Sequence, residues 1–198
     1  MQPDTYLGVQ EEYKSYLKRS GSKFYGYLFP VKDLADFDER IKSFKQEFAD
    51  ATHVCSACVI GINREIQKFS DDGEPSNSSG RPMLHALLSN NLTYTGTAVV
   101  RYYGGSKLGI PGLIEAYGGA TLESIEAADI EELVLKEQIL CTVAPEKAYL
   151  LYNFLSKQRD VTYNTSGDKF IIECSKSMTV SLRLELIKID TLAILNEI

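Results

Sequence analysis

The stretch Thr97-Ala-Val-Val-Arg-Tyr-Tyr-Gly-Gly-Ser-Lys-Leu-Gly-Ile-Pro-Gly112 holds a strand, a loop and the start of a helix in immediate succession. Thr97–Arg101 is a compact, β-branched run of the kind that fills strands. Gly104 and Gly105 end it, because glycine tolerates positive φ and close backbone approach and is wasteful of chain entropy elsewhere. Pro111 suits a first helical turn, so a helix begins near it. Arg101 and Lys107 flank the glycine pair. A strand feeding a built loop is a scaffold presenting a surface, and function is commonly carried on such loops.

Outward from this stretch the pattern is of strands alternating with helices. Lys23–Val31 is the clearest upstream strand within a strand-like segment 4–31. Asp33 is a plausible N-cap. Leu34, Phe37, Ile41, Phe44 and Phe48 follow at the spacing of one helical stripe. Val54–Ile62 reads as a buried strand, and a long acidic loop follows it, Phe69-Ser-Asp-Asp-Gly-Glu-Pro-Ser-Asn-Ser-Ser-Gly-Arg-Pro82, ahead of a short helix at Met83–Leu88. Gly118-Gly119 lie inside the helix that starts near Pro111. Either they let that helix pack closely on a sheet or they break it.

Beyond a polar stretch the pattern restarts. Leu133–Val143 reads as a strand and Pro145 opens a helix. Val161–Asn164 and Lys169–Cys174 pair as a hairpin around Ser166-Gly167-Asp168. Thr179–Lys188 fits either strand or helix, and the β-α-β-β-α order favours helix. The expected fold class is therefore α+β in two domains, 1–132 and 136–198, the second small and ferredoxin-like.

Bulk properties narrow the function classes. The net charge of −6 over 198 residues sits entirely in residues 1–135, the remainder balancing to zero. An acidic chain is a poor prior for non-specific nucleic-acid binding, although a local basic patch remains compatible with it. No apolar run approaches the roughly 20 residues of a membrane helix, and the N-terminus has no signal-peptide pattern, so a cytoplasmic protein without membrane contact is expected.

Cys55-Ser-Ala-Cys58 has the spacing of a metal or redox pair, but positions three apart in a strand face opposite ways. Cys55, Cys58, Cys141 and Cys174 are therefore read as core thiols, and no metal is expected. His53 and Cys55, two apart, share a face and keep a Cys/His site open to consideration. Hydrogen-bonded core roles are the favoured reading for His53 and His85. Neither a P-loop nor a dinucleotide fingerprint is present, so no cofactor is expected.

The candidate ligand-binding residues are Arg101, Tyr102, Tyr103, Gly104, Gly105, Lys107 and Gly109. The cations and the following helix N-terminus make an anion cradle, and the tyrosines are able to stack a base. Equally, Arg101 and Lys107 could pair with the acidic loop while the tyrosines pack. Asp71, Asp72, Gly73, Glu74 and Arg81 form the supporting loop. Its acids and turn-forming residues fit a bracing role against Arg81, Arg101 or Lys107 better than catalysis.

Six segments occur in an order that resembles the IMPACT/YigZ family: Lys23-Phe-Tyr-Gly-Tyr27, Ala51-Thr-His-Val-Cys55, Asp71-Asp-Gly-Glu-Pro-Ser76, Gly80-Arg-Pro-Met-Leu84, Val99–Gly109 and Gly112-Leu-Ile-Glu-Ala-Tyr117. The resemblance is strong over about residues 16–130. It implies a ribosomal protein S5 domain 2-like N-terminal domain and a C-terminal domain like the last domain of elongation factor G. It further implies a link to translation, since eukaryotic IMPACT proteins restrain an initiation-factor kinase by binding its activating scaffold. The chain departs from the family pattern at Asn77-Ser-Ser79 (usually Gly-Thr-Ala), Pro111 (usually glycine) and Glu115 (commonly arginine). Pro111 stiffens the loop and Glu115 removes a cation, both of which weaken phosphate binding. The resulting expectation is a non-enzymatic binding or regulatory protein contacting RNA, the ribosome or a translation-associated protein through the glycine loop. The rival readings are a hydrolase or small-molecule enzyme using His53, Cys55 or the acidic loop, and a protein adaptor that binds no nucleic acid.

Overall fold

A computed structural model describes residues 4–189 and the backbone of the strand at 194–197. The chain divides into two compact units, Tyr6–Leu133 and a second made of Met1–Thr5 with Val134–Ile198. Its strands are β1 (Thr5–Gly8), β2 (Tyr13–Arg19), β3 (Ser22–Pro30), β4 (His53–Ile60), β5 (Ile66–Ser70), β6 (Thr95–Tyr102), β7 (Glu131–Val134), β8 (Lys136–Thr142), β9 (Thr162–Ser166), β10 (Lys169–Ser175) and β11 (Ile194–Glu197). Its helices are α1 (Leu34–Glu47), α2 (Gly80–Ser89), α3 (Gly109–Glu126), α4 (Ala148–Leu155) and α5 (Thr179–Ile189).

In the first unit five antiparallel strands lie in the order β2-β3-β6-β4-β5. Alternation along β3, β4 and β6 sends apolar side chains to both faces, and each face has its own core. On one, Phe24, Leu28, Cys55, Val59 and Val99 pack with Met83 and Leu87 of α2 and with Leu113, Ala116 and Tyr117 of α3. On the other, Tyr27, Phe29, Val54, Cys58 and Val100 pack with the α1 stripe of Leu34, Phe37, Ile41, Phe44 and Phe48. The Asp33 carboxylate accepts from the Asp36 amide at 2.8 Å, the N-cap its position called for. Cys55 and Cys58 belong to opposite cores, as strand parity requires.

Two details depart from expectation. The long loop read from residue 69 begins later than expected, after the edge strand β5, whose residues are all exposed. The helix expected near Pro111 starts two residues earlier and runs unbroken through Gly118-Gly119. A methyl group at either of these glycines would meet its nearest neighbour at 3.6 Å, an ordinary contact. The glycine that admits the helix is instead Gly26 on β3, where a Cβ would lie 2.7 Å from the Ala120 carbonyl and 2.6 Å from the Ser124 hydroxyl. Gly118→Ala is therefore expected to stabilise the protein by up to about 1 kcal/mol, read as a higher urea midpoint, and Gly26→Ala to destabilise it.

In the second unit the strand order is β11-β8-β10-β9, all antiparallel. The ambiguous segment from Thr179 is helix α5, and Leu182 and Leu186 are its buried members beside Thr179. Its core joins Ile139, Cys141, Leu151, Phe170, Ile172 and Leu186.

Candidate functional site

Arg101 and His53 are directly opposed across β6 and β4, and Phe24 opposes Arg101 from β3. All three point to the α2/α3 side of the sheet. Arg101 is only 5% exposed. Its Nη1 donates to Glu74 Oε1 at 2.5 Å, and both side chains are almost sealed from solvent. Nη2 donates to the Ser22 hydroxyl at 3.3 Å, and that oxygen also accepts from the Gly104 amide at 3.1 Å. The guanidinium lies 5.4 Å from the Phe24 ring and 5.5 Å from the Tyr103 ring. Glu74 Oε1 also accepts from the Tyr117 hydroxyl at 2.7 Å, and His53 Nε2 stands 3.9 Å away. Burial, reinforced by Cys55 and Glu74, drives the Tyr117 phenol far above its ordinary pKa, so it stays a donor.

The three acids of the loop thus have three different tasks. Glu74 balances Arg101. Asp72 accepts from the Val54 amide at 2.7 Å and pairs with Lys45, while its carbonyl is 2.8 Å from His53 Nδ1. Asp71 collects the Asn77, Ser79 and Gly80 amides and the Ser79 hydroxyl, at 2.7–3.1 Å, over the start of α2. Burial opposes its charge, but these donors together outweigh it and hold the carboxyl below its ordinary 3.8. A depressed folded-state pKa adds stability above the unfolded value and forfeits it as pH falls through the folded one. Asp71→Asn is therefore expected to cost about 1 kcal/mol near neutrality, the scale of a lost cap. Urea titrations should show the gap closing as pH drops below 3.8.

These walls enclose a pocket of about 500 Å³ lined by Thr52, His53, Glu74, Pro75, Arg101, Tyr103, Lys107, Leu108, Gly109, Ile110 and Leu113. Of the candidate residues, Arg101, Tyr103, Lys107, Gly109 and Glu74 meet there. Tyr102, Gly104, Gly105, Asp71, Asp72, Gly73 and Arg81 do not line it. Tyr102 points to the α1 face, where its hydroxyl donates to Asp50 at 2.9 Å. Lys107 and Arg81 are exposed and make no ion pair among the described residues. Glu115 pairs with Arg19 at 2.7 Å. His85 is exposed on α2, correcting the core role expected for it.

Cys55 is fully buried, donates to the Asp71 carbonyl at 3.1 Å, and has its thiol pushed up to about 12 by burial. A thiol so held is not a nucleophile near neutral pH. Thr52, Pro75, Leu108, Ile110 and Leu113 were not singled out from sequence. Ile110 and Leu113 stand three apart on α3, a helical spacing that is the available signal, whereas Pro75 and Leu108 lie in loops where no periodicity marks them.

The Impact N-terminal domain model matches residues 20–125. The chain is 41% identical over 128 residues to the IMPACT family member YvyE of Bacillus subtilis, covering 65% of this chain and 59% of that protein. It is 42% identical over 87 residues to the IMPACT family member YigZ of Escherichia coli, covering 43% of each. The matched stretches thus span less than two thirds of these relatives. A solved structure described as that of a hypothetical protein superposes with a TM-score of 0.72 at 22% identity over 98% of both chains, a likeness of fold. The chain belongs to the IMPACT family, with its Impact N-terminal domain carrying the pocket.

Proposed function

We propose that the chain is a non-enzymatic binding and regulatory module connected with translation, working in the cytoplasm, and that a translation-associated protein docks at the pocket between the two loops. The observation that carries this reading is the Glu74–Arg101 pair. It spends the pocket's one buried cation on the scaffold and leaves Lys107 as the free charge, amid Pro75, Tyr103, Leu108 and Ile110. Such a mixed, largely apolar recess suits a side chain offered by a protein better than a phosphate, which needs convergent cations. The link to translation is supported by membership of the IMPACT family and the kinase-restraining role of its eukaryotic members. The sheet order supports reading the second unit as a ferredoxin-like domain akin to that of elongation factor G, and the first as ribosomal protein S5 domain 2-like.

The test is capture from cell lysate by wild type and by Lys107→Ala combined with Ile110→Asp, with and without nuclease. Retention of a translation-associated protein by wild type after nuclease, with loss in the double variant, is expected. Equal capture by both proteins removes the pocket from the account, and loss on nuclease treatment transfers the role to RNA. The enzymatic reading has His53 at the pocket wall in its favour, but the thiol it would activate is sealed.

A further inference from the structure

The opposite face of the same sheet carries a second feature, which meets the pocket just described only at Tyr103. Register fixes it. Lys14, Tyr16 and Lys18 on β2 stand directly opposite Tyr27, Tyr25 and Lys23 on β3, and Lys23 stands opposite Tyr102 on β6. Side chains paired in this way share one face, so three lysines and four tyrosines form three adjacent rows. The Tyr16 and Tyr25 rings are 5.1 Å apart and the Tyr25 and Tyr102 rings 6.0 Å. Tyr16 is 51% exposed although it sits on an edge strand. Beside these rings lies a hollow of about 480 Å³ lined by Gly21, Lys23, Tyr25, Tyr27, Phe48, Tyr102 and Tyr103.

The charges on this face are unequal in standing. Lys14 is engaged, 3.2 Å from Glu12 and 5.3 Å from the Tyr27 ring centre. Lys18 and Lys23 face each other across the strand pair, both exposed, and neither meets an acid among the described residues. Like charges directly opposed destabilise a sheet. A pair that weakens the fold beside the exposed Tyr16 ring and the half-buried Tyr25 and Tyr102 rings is accounted for by a ligand that supplies the missing anion. Fixed anions at short spacing together with flat faces to stack describe a single-stranded polynucleotide, whose bases stack on aromatic rings while its backbone follows the cations.

We infer that the β2–β3–β6 face around Tyr16, Tyr25, Tyr102, Lys18 and Lys23 binds single-stranded nucleic acid, with bases on the tyrosines and phosphates on the opposed lysines.

The test uses the full chain and a short fluorescein-labelled oligouridylate followed by fluorescence anisotropy. Tyr16→Ala removes an exposed ring and is expected to weaken binding at least about fivefold, the lower end of the stacking scale. Reversing both lysines, Lys18→Glu with Lys23→Glu, is expected to abolish measurable binding. Replacing both by alanine should lower the slope of log affinity against log salt by about 1.4, at about 0.7 per phosphate on a single strand. Lys18→Glu alone separates ligand from fold: it creates an opposite-charge pair with Lys23, so its melting temperature should not fall while its affinity does. Lys107→Ala with Ile110→Asp should bind the oligonucleotide as wild type does, so failure here and failure of the pocket are distinguishable. Unchanged affinity in Tyr16→Ala and Lys18→Glu overturns the inference. So does equal competition by a duplex of the same length or by polyglutamate, which would reduce the face to an unspecific cation patch.

Discussion

Glu74→Ala is expected to destabilise the first unit by about 3–5 kcal/mol, the cost of stranding one member of a buried ion pair. The carboxylate leaves behind a guanidinium that is 5% exposed, beside a Tyr117 hydroxyl that loses the oxygen it donates to. The Arg101 Nε already has no hydrogen-bond partner among the described residues, so the group has no spare bond to lose. Urea unfolding of the full chain, followed by tyrosine fluorescence, reads the loss as a fall in midpoint with unchanged slope. The double variant Glu74→Leu with Arg101→Met supplies the contrast, because replacing both charges with apolar groups of similar volume is often nearly neutral. Recovery of most of the stability in the double variant would assign the cost to the unpaired charge. A single-variant loss under 1 kcal/mol would mean the pair is solvated and the pocket wall looser than described.

This pair also marks how far the sequence is legible. The two faces of the first sheet follow from parity and helical spacing: Cys55 and Cys58 fall in opposite cores, and the Leu34–Phe48 stripe covers one of them. Those signals are local and burial enforces them. β5 is not legible in the sequence because every one of its residues is exposed and it pairs on one side only, so no burial pattern betrays it. Asp71, Asp72 and Glu74 look alike in a list of acids. Their separate tasks depend on partners at Ser79, Val54 and Arg101, brought near by the sheet. The sequence offers Tyr102 and Tyr103 side by side as rings able to stack a base. Tyr102, at the end of β6, turns to the α1 face as strand parity requires, while Tyr103, the first residue after the strand, borders the hollows on both faces, which no parity foretells. The meeting of the two loops in one pocket rests on chain segments brought together only by the fold.

The contact that fixes the glycine loop likewise joins chain segments far apart in sequence. Gly104 lies against the turn of the β2–β3 hairpin, where a Cβ would fall on the backbone of Gly21 and on the Ser22 amide, far inside contact distance. Backbone atoms have no rotamer to yield, so one of the two segments must move. Gly21 is held in turn by φ +80 and would bring its own Cβ to 2.8 Å from the Gly104 carbonyl. Gly104→Ala is therefore expected to cost about 1–3 kcal/mol or more, as overpacking does. It should also break the Gly104 amide's bond to Ser22 and with it the support beneath Arg101. Gly105→Ala is the control: its φ is +85, yet a Cβ there meets nothing within 4 Å. It should cost only the strain of a left-handed alanine, about 1 kcal/mol. If the pocket is the docking element, Gly104→Ala at a temperature where it remains folded should lose partner capture while Gly105→Ala keeps it. Two variants alike in stability and in capture would show that the crossing of Gly21 and Gly104 does not hold the loop.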